Sequence, residues 1–382
     1  MKNHPTRLRI VSLILCICMI AAGLAGCGEK KPTAPELKGA KISHETEFGG
    51  VYIEISIEEF NKLGFNYGDS VNISFSNGVM LEGLPYYNGY YTLNGQPLLV
   101  AYPGYPYIKA CINSGADLWT VSGLSDADTA DIKLNTAGAF LDIQQARDIH
   151  YQDDRSKFPT DAVFANFRNI KAGDIKEGRI YRSASPCDNQ HQRAPYVDEL
   201  IAIAGVRYIV DLADTNEKML GYIEADGFSS DYWLSLFKDN KVYPAAMNMN
   251  FGSEEFRAKA AGALAAMVQN RGPYLVHCTE GKDRTGFVCM LIEALCGASY
   301  QEIVDDYMIT YDNYYQINPT DDSARYNTIV EYVLDPMIQD MAGPDCRDIK
   351  TEDLSVYAEA FLLSGGMSLE QIQSLKHILT AE

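Results

Sequence analysis

The segment from Pro273 to Leu295 constrains the fold more than any other part of this sequence. Tyr274-Leu-Val-His277 is a short apolar run that predicts a buried strand, and the apolar run from Phe287 to Leu295 predicts a buried helix. A polar loop that contains Gly281 connects them. A strand that enters a helix in this way is typical of an α/β body with a central, mostly parallel sheet flanked by helices.

Strand and helix patterns of the same kind predict that this α/β body spans residues 160–382. Arg207-Tyr-Ile-Val-Asp-Leu212 has the pattern of a strand, and a helix begins near Ser253. Ser368-Leu-Glu-Gln371 has the spacing of a capping box and predicts the start of a last helix. We expect residues 122–159 to link this body to what precedes it.

Residues 45–121 have a different pattern, which predicts a small all-β accessory domain. Apolar and polar residues alternate there between turn signals. The tyrosines from Tyr86 to Tyr107 are expected to pack between strands, with a stacking surface for a sugar or base as the alternative. The motifs that begin at Gly68, Gly95 and Ile112 are similar to the β-barrel domain of SAM hydroxide adenosyltransferases. This resemblance does not imply a catalytic residue in this domain.

The first 27 residues have the pattern of an export signal. Basic residues precede the apolar run from Ile10 to Ala22, and small residues follow it. Leu24-Ala-Gly-Cys27 resembles the lipobox of bacterial lipoproteins, which implies a signal peptide over residues 1–26 and a lipid on Cys27. Residues 27–44 would then form a tether, and the protein would work outside the cytoplasm, anchored to the bacterial membrane.

The charge balance limits the partners of this chain. It has 32 Lys and Arg residues against 51 Asp and Glu residues, a formal net charge of -19. Such a chain repels nucleic acid phosphates, so an anionic ligand needs a concentrated local positive site. The cysteines and histidines show no metal-ligand spacing, and we expect neither a metal nor a cofactor. The pattern does not predict an oligomeric state.

The loop after the predicted strand supplies such a positive site. A phosphate monoester needs several converging donors, which the backbone N–H groups of a loop and the N-terminus of a helix provide. Gly281 allows a tight turn, Arg284 can hold two phosphate oxygens, and the same positive environment favours the nucleophilic thiolate of Cys278. The predicted phosphate-binding residues are Thr279, Glu280, Gly281, Lys282 and Arg284.

These residues resemble the signature of a known enzyme class. His277-Cys278-x-x-Gly281-Lys-Asp-Arg284-Thr-Gly286 is similar to the loop of cysteine-based protein tyrosine phosphatases, in particular their bacterial tyrosine/lipid branch. Segments around Phe167-Arg168, Tyr181-Arg182 and Asp305-Asp306 resemble that branch as well. Asp211-Leu-Ala213 departs from its usual Asp-Leu-Arg, which puts the substrate preference in doubt.

The resemblance implies a role for each loop residue. Cys278 attacks phosphorus, Arg284 stabilises the phosphoryl oxygens, and Thr285 assists the leaving thiolate. Asp283 is the implied general acid, with Asp239 as the alternative. We expect His277 to orient the loop; Arg168 and Arg182 are expected either to border the site or to form structural ion pairs.

We therefore expect a phosphatase that acts through a phosphocysteine. Its predicted substrates are phosphotyrosine proteins, with phosphoinositides as a further class. One alternative is an inositol-polyphosphate phosphatase, similar to a phytase, which would need a wider and more basic rim. Another is a surface lipoprotein that binds phosphate without turnover.

Overall fold

The N-terminal part of the described chain is a closed barrel of seven strands. The computed structural model describes residues 34–381, so the predicted signal peptide and Cys27 lie outside the described residues. The strand order around the barrel is β1-β2-β6-β5-β4-β3-β7, and β7 pairs again with β1. The strands are β1 (Glu36–His44), β2 (Val51–Ile53), β3 (Ser70–Phe75), β4 (Met80–Tyr87), β5 (Pro97–Val100), β6 (Ile108–Ile112) and β7 (Thr129–Thr136).

The barrel confirms the prediction of a β body but has wider bounds than the predicted 45–121. Strand β1 lies within the predicted tether and β7 within the predicted linker. The two strands are antiparallel neighbours, with Leu37 opposite Ile132. The side chain of Lys38 in β1 faces solvent and pairs with Glu36 at 3.1 Å. Because its lysines point outward, β1 has the composition of a tether although it closes the barrel.

The C-terminal part is an α/β body around a five-stranded mixed sheet. The strand order is β11-β10-β12-β9-β8, in which β8 is the antiparallel edge strand and the other four are parallel. The strands are β8 (Arg168–Asn169), β9 (Ile180–Ser183), β10 (Tyr208–Asp211), β11 (Val242–Pro244) and β12 (Tyr274–His277).

Helices cover both faces of this sheet, because its parallel strands alternate buried side chains between two apolar cores. Val276 of β12 belongs to one core, with α8, α9 and the C-terminal helices, and Leu275 belongs to the other, with α5 and α7. The helices are α1 (Ile57–Lys62), α2 (Leu118–Val121), α3 (Leu141–Arg147), α4 (Asp161–Phe164), α5 (Ala194–Ile203), α6 (Asn216–Glu224), α7 (Asp231–Lys238), α8 (Glu254–Val268), α9 (Asp283–Leu295), α10 (Tyr300–Tyr315), α11 (Ser323–Ile329), α12 (Asp335–Ala342), α13 (Leu354–Ser364) and α14 (Leu369–Thr380).

Local signals in the sequence agree with these helices. The capping box predicted at Ser368 is present, since its hydroxyl accepts from the backbone of Gln371 and the Gln371 side chain accepts in return. Cys289 and Cys296 are fully buried in and just after α9. Among residues 34–381, no helix is both long enough and apolar enough to cross a membrane.

Candidate active site

The predicted phosphate loop, residues 278–282, connects the central strand β12 to the N-terminus of α9. Gly281 has a φ of +69°, in the left-handed region that favours glycine. A Cβ atom there would lie 2.1 Å from the carbonyl oxygen of Ser183 in β9. Glycine is therefore required at this position by backbone conformation and by space.

The carbonyl groups of the loop bond to donors outside it. The Gly281 oxygen accepts from Arg182 Nη2 at 3.0 Å and from Asn166 Nδ2 at 3.2 Å. The Thr279 oxygen accepts from the Ser185 amide at 3.0 Å, and the Glu280 oxygen accepts from the Tyr314 hydroxyl at 2.7 Å. These contacts fix the orientation of the peptide groups.

The amide groups of the same loop keep their hydrogens available. Within residues 34–381, no acceptor takes the backbone N–H of Thr279, Glu280, Gly281 or Lys282. Together with the first turn of α9, these donors match what a phosphate group needs.

The predicted nucleophile is the first residue of this loop, and the predicted phosphate-binding arginine follows the loop. Cys278 is 3% exposed and directly follows β12. Arg284 stands in the first turn of α9, where Nη1 donates to the carbonyl oxygen of Met247 at 3.2 Å. The Nε of Arg284 and the hydroxyl of Thr285 are buried and bond to nothing within the described part of the chain. Both side chains thus retain hydrogen-bonding capacity at the site.

Asp283 and Lys282 form the rim of the loop. Lys282 Nζ lies 3.7 Å from Asp283 Oδ2 and 3.4 Å from Glu280 Oε2. Burial opposes the ammonium charge, but the Asp283, Tyr315 and Glu280 side chains nevertheless hold the pKa of Lys282 well above its usual value. The Asp283 side chain is 29% exposed and lines a cleft, as a proton donor to a leaving group must.

The other candidate acid, Asp239, is exposed and follows α7, just before β11. Strand β11 runs parallel to β10, which runs parallel to β12. In a parallel sheet, a residue that precedes one strand lies at the N-terminal ends of the strands, and a loop that follows another strand lies at their C-terminal ends. The topology therefore favours Asp283 over Asp239.

His277 is fully buried under the loop. Its Nδ1 lies 3.3 Å from the carbonyl oxygen of Cys278, which can only accept, so Nδ1 carries the hydrogen. Burial lowers the pKa of His277 to about 4, so the ring is neutral at neutral pH. This geometry suits the predicted orienting role.

A buried acidic cluster lies next to His277. Among residues 34–381, Cys187, Asp211 and Asp214 form a group of possible metal ligands whose ligand atoms are within 4.8 Å of one another. Burial raises the pKa of both carboxyl groups to about 6. The sequence does not predict this group, because Cys187 follows β9, whereas Asp211 ends β10 and Asp214 follows it.

Arg168 and Arg182 meet at one carboxylate behind the loop. Arg168 Nε lies 2.8 Å from Asp306 Oδ1, and Arg182 Nη1 lies 2.5 Å from Asp306 Oδ2. Although burial opposes ionisation, the two guanidinium groups hold the pKa of Asp306 below its ordinary value. Of the two predicted alternatives, the geometry therefore supports the structural ion pair for both arginines.

Sequence reasoning missed several residues that hold the loop. Tyr151, in the predicted linker, donates its hydroxyl to Glu280 and accepts from Lys282 Nζ at 3.3 Å. Asn166 and Tyr314 hold loop carbonyls from more than thirty positions away. The tyrosine pair at 314–315 was a visible signal, but nothing local connected it to the loop.

The fold and the loop define a cysteine-based phosphatase. A model of the tyrosine phosphatase family matches residues 163–380, more than half of the chain, and the chain belongs to this family. The predicted resemblance is thereby confirmed at the level of the family.

Two relatives are similar to parts of the chain. A protein of Cupriavidus necator, named "Putative tyrosine-protein phosphatase", is 26% identical over 169 residues, which cover 38% of this chain and 58% of that protein. The match thus spans less than two thirds of that relative. The solved core catalytic domain of the PP-IP phosphatase SIW14 from S. cerevisiae, in complex with citrate, is 21% identical with a TM-score of 0.26, covering 44% of this chain and 85% of that one.

Proposed function

We propose that this protein is a protein-tyrosine phosphatase that acts through a phosphocysteine intermediate. The carrying observation is the loop at 278–282. Its carbonyl groups accept from donors outside the loop, while no acceptor within residues 34–381 takes the N–H groups of residues 279–282. Such a ring of donors stabilises the negative charge on the phosphoryl oxygens in the transition state. Arg284 adds a planar cation that can hold two of these oxygens.

The reaction has two steps. In the first, the Cys278 thiolate attacks phosphorus, an S–P bond forms, and the bond from phosphorus to the ester oxygen breaks. Asp283 gives its proton to the departing oxygen. In the second, a water molecule loses a proton to Asp283 and attacks phosphorus, and the S–P bond breaks. Inorganic phosphate leaves, and the Cys278 thiolate and the Asp283 acid are restored.

Inositol polyphosphates are the alternative substrates. A site for several phosphate groups needs a surplus of cations around the loop. Lys282 is a cation at the rim, but it is already paired with Asp283 and Glu280. This pairing favours substrates with one phosphate group.

The test is phosphate release by the purified chain from residue 28 onward, under reducing conditions and without added metal. A phosphotyrosine peptide, a phosphoserine peptide, a phosphoinositide and phytate would be compared, with Cys278→Ser as the control. The proposal predicts Cys278-dependent release that is fastest from the phosphotyrosine peptide. Faster release from phytate supports the alternative, and no release from any substrate supports a binding protein.

The lipid anchor on Cys27 and the location outside the cytoplasm are also part of this proposal. They rest on the sequence around Leu24 to Cys27 alone. Metabolic labelling with a fatty-acid analogue in a bacterial host should label the wild-type protein but not Cys27→Ser. Equal labelling of both proteins would refute the anchor.

A further inference from the structure

A cleft joins the β barrel to the rim of the phosphate loop. It has a volume of about 750 Å³, within the usual range for ligand sites. The barrel contributes the loop from Tyr90 to Asn94, and the phosphatase body contributes Lys282 and Asp283. A substrate whose phosphate lies in the loop would extend past Asp283 toward the barrel.

The barrel wall of this cleft is held in place. The Tyr90 hydroxyl lies 2.8 Å from that of Tyr105, and the Arg147 guanidinium lies 5.2 Å from the centre of the Tyr91 ring. Because these contacts order the wall before a ligand arrives, the wall is suited to selecting one.

The barrel itself is packed against the phosphatase body. Tyr332, which follows α11, packs on a buried barrel cluster that includes Tyr87 and Ile143. This contact keeps the barrel loop beside the cleft.

Carboxylates dominate the charge of this cleft. Its charged lining residues are two cations, Arg147 and Lys282, and four carboxylates, Asp283, Glu331, Asp335 and Asp340. Lys282 is paired with Asp283, and Arg147 lies on the Tyr91 ring. Asp335 is paired at 3.1 Å with Lys350, which does not line the cleft. Glu331 is exposed, and no cation within residues 34–381 forms an ion pair with it. Beyond the phosphate itself, such a cleft attracts cationic groups and repels additional phosphates.

The remaining lining of the cleft is largely aromatic and apolar. Tyr311 and Tyr315 of α10 line it together with the barrel residues Tyr91 and Leu93. Tyrosine side chains offer large flat contact areas with a polar tip, which suits peptide side chains and cations. Leu93 is 45% exposed, so a ligand can still cover it.

We propose that this cleft binds the peptide around the phosphotyrosine, and that the barrel loop at residues 90–94 and Glu331 select peptides with basic flanking residues. The inference rests on the proposed function, since it assigns the substrate class of the same site. It gives the barrel a direct part in substrate choice.

The test uses two phosphotyrosine peptides that differ only in flanking residues, lysine in one and glutamate in the other, together with p-nitrophenyl phosphate. The purified chain from residue 28 onward is assayed with each substrate. The readout is the ratio of kcat/KM for a peptide to kcat/KM for p-nitrophenyl phosphate. The proposal predicts a higher ratio for the basic peptide, mainly through KM. Equal ratios or a preference for the acidic peptide would overturn it, and so would faster release from phytate than from both peptides.

Two variants test whether cleft residues cause the preference for the basic peptide. Glu331→Lys should lower the ratio for the basic peptide roughly fivefold, as expected for an exposed ion pair, whereas Glu370→Lys on the exposed face of α14 should not. Leu93→Ala should lower the ratio for both peptides, with the similarly exposed Leu63→Ala in the barrel as its control. Ratios that do not respond to either cleft variant would overturn the role of the barrel. If p-nitrophenyl phosphate is not hydrolysed at all, the proposed function fails instead.

Discussion

The side chain of Arg182 donates to the carbonyl oxygen of Gly281 at 3.0 Å, which ties the parallel strand β9 to the phosphate loop. The same guanidinium group pairs with Asp306 of α10. Arg182 is 1% exposed, so solvent does not screen these contacts. One buried arginine thus fixes the orientation of a loop peptide group relative to the sheet and to a helix that follows the loop.

Gly281→Ala should disrupt this arrangement. The new Cβ would lie 2.1 Å from the Ser183 oxygen, so the loop has to move away from β9. We expect a fall in unfolding free energy clearly larger than the roughly 1–2 kcal/mol that left-handed backbone costs a non-glycine residue, together with a loss of activity. Gly205→Ala is the control, because Gly205 has a φ of +66° and open space around it. Equal effects of the two substitutions in urea unfolding would contradict the account.

Arg284→Lys should lower kcat/KM by at least about a hundredfold, because lysine cannot hold two phosphoryl oxygens with a planar group. Arg207→Lys at an exposed position is the control. Steady-state kinetics with p-nitrophenyl phosphate measure the effect, and thermal unfolding shows whether the variants remain folded. A variant that keeps wild-type kcat/KM would exclude Arg284 from transition-state stabilisation.

Asp283→Asn should slow the release of poor leaving groups much more than that of good ones, because only poor leaving groups need a proton. A series of aryl phosphates with different phenol pKa values measures this dependence. Asp239→Asn should leave the dependence of the rate on leaving-group pKa as in the wild type, since Asp239 lies at the opposite ends of the sheet strands from the phosphate loop. A uniform loss in Asp283→Asn across the series would argue against its role as the acid.

Asp211→Asn should change how stability depends on pH. Burial raises the pKa of the Asp211 carboxyl to about 6 in the folded protein, above its value of about 4 in the unfolded chain. The protonated carboxyl thus contributes stability at pH 4 that is lost as the pH rises through 6. The measured quantity is the free energy of unfolding of Asp211→Asn minus that of the wild type. We expect this difference to increase by up to roughly 3 kcal/mol between pH 4 and pH 7. A difference that is constant with pH, in urea unfolding, would contradict the assignment.

The parts of the fold that the sequence predicted depend on local patterns. The strand, glycine loop and helix from Pro273 to Leu295 are contiguous, so their apolar periodicity and the position of Gly281 were sufficient. The capping box at Ser368 was local as well.

The parts that were missed depend on contacts between distant residues. Strand β1 is recognised as a strand only through its pairing with β2 and β7, the latter of which brings Leu37 opposite Ile132. Tyr151 and Asn166 contact the loop from positions more than a hundred residues away. The ion pairs of Asp306 with Arg168 and Arg182 likewise link segments that are far apart in the sequence, and no local pattern predicts these contacts.

The most direct test of the central claim is the trapping of the covalent intermediate. The protein would be mixed with a phosphotyrosine peptide and quenched within milliseconds, and the peptide that contains Cys278 would be examined by mass spectrometry. We expect one phosphoryl group on Cys278 in the wild type, and neither this adduct nor phosphate release in Cys278→Ser. Turnover that persists in Cys278→Ser would contradict the mechanism.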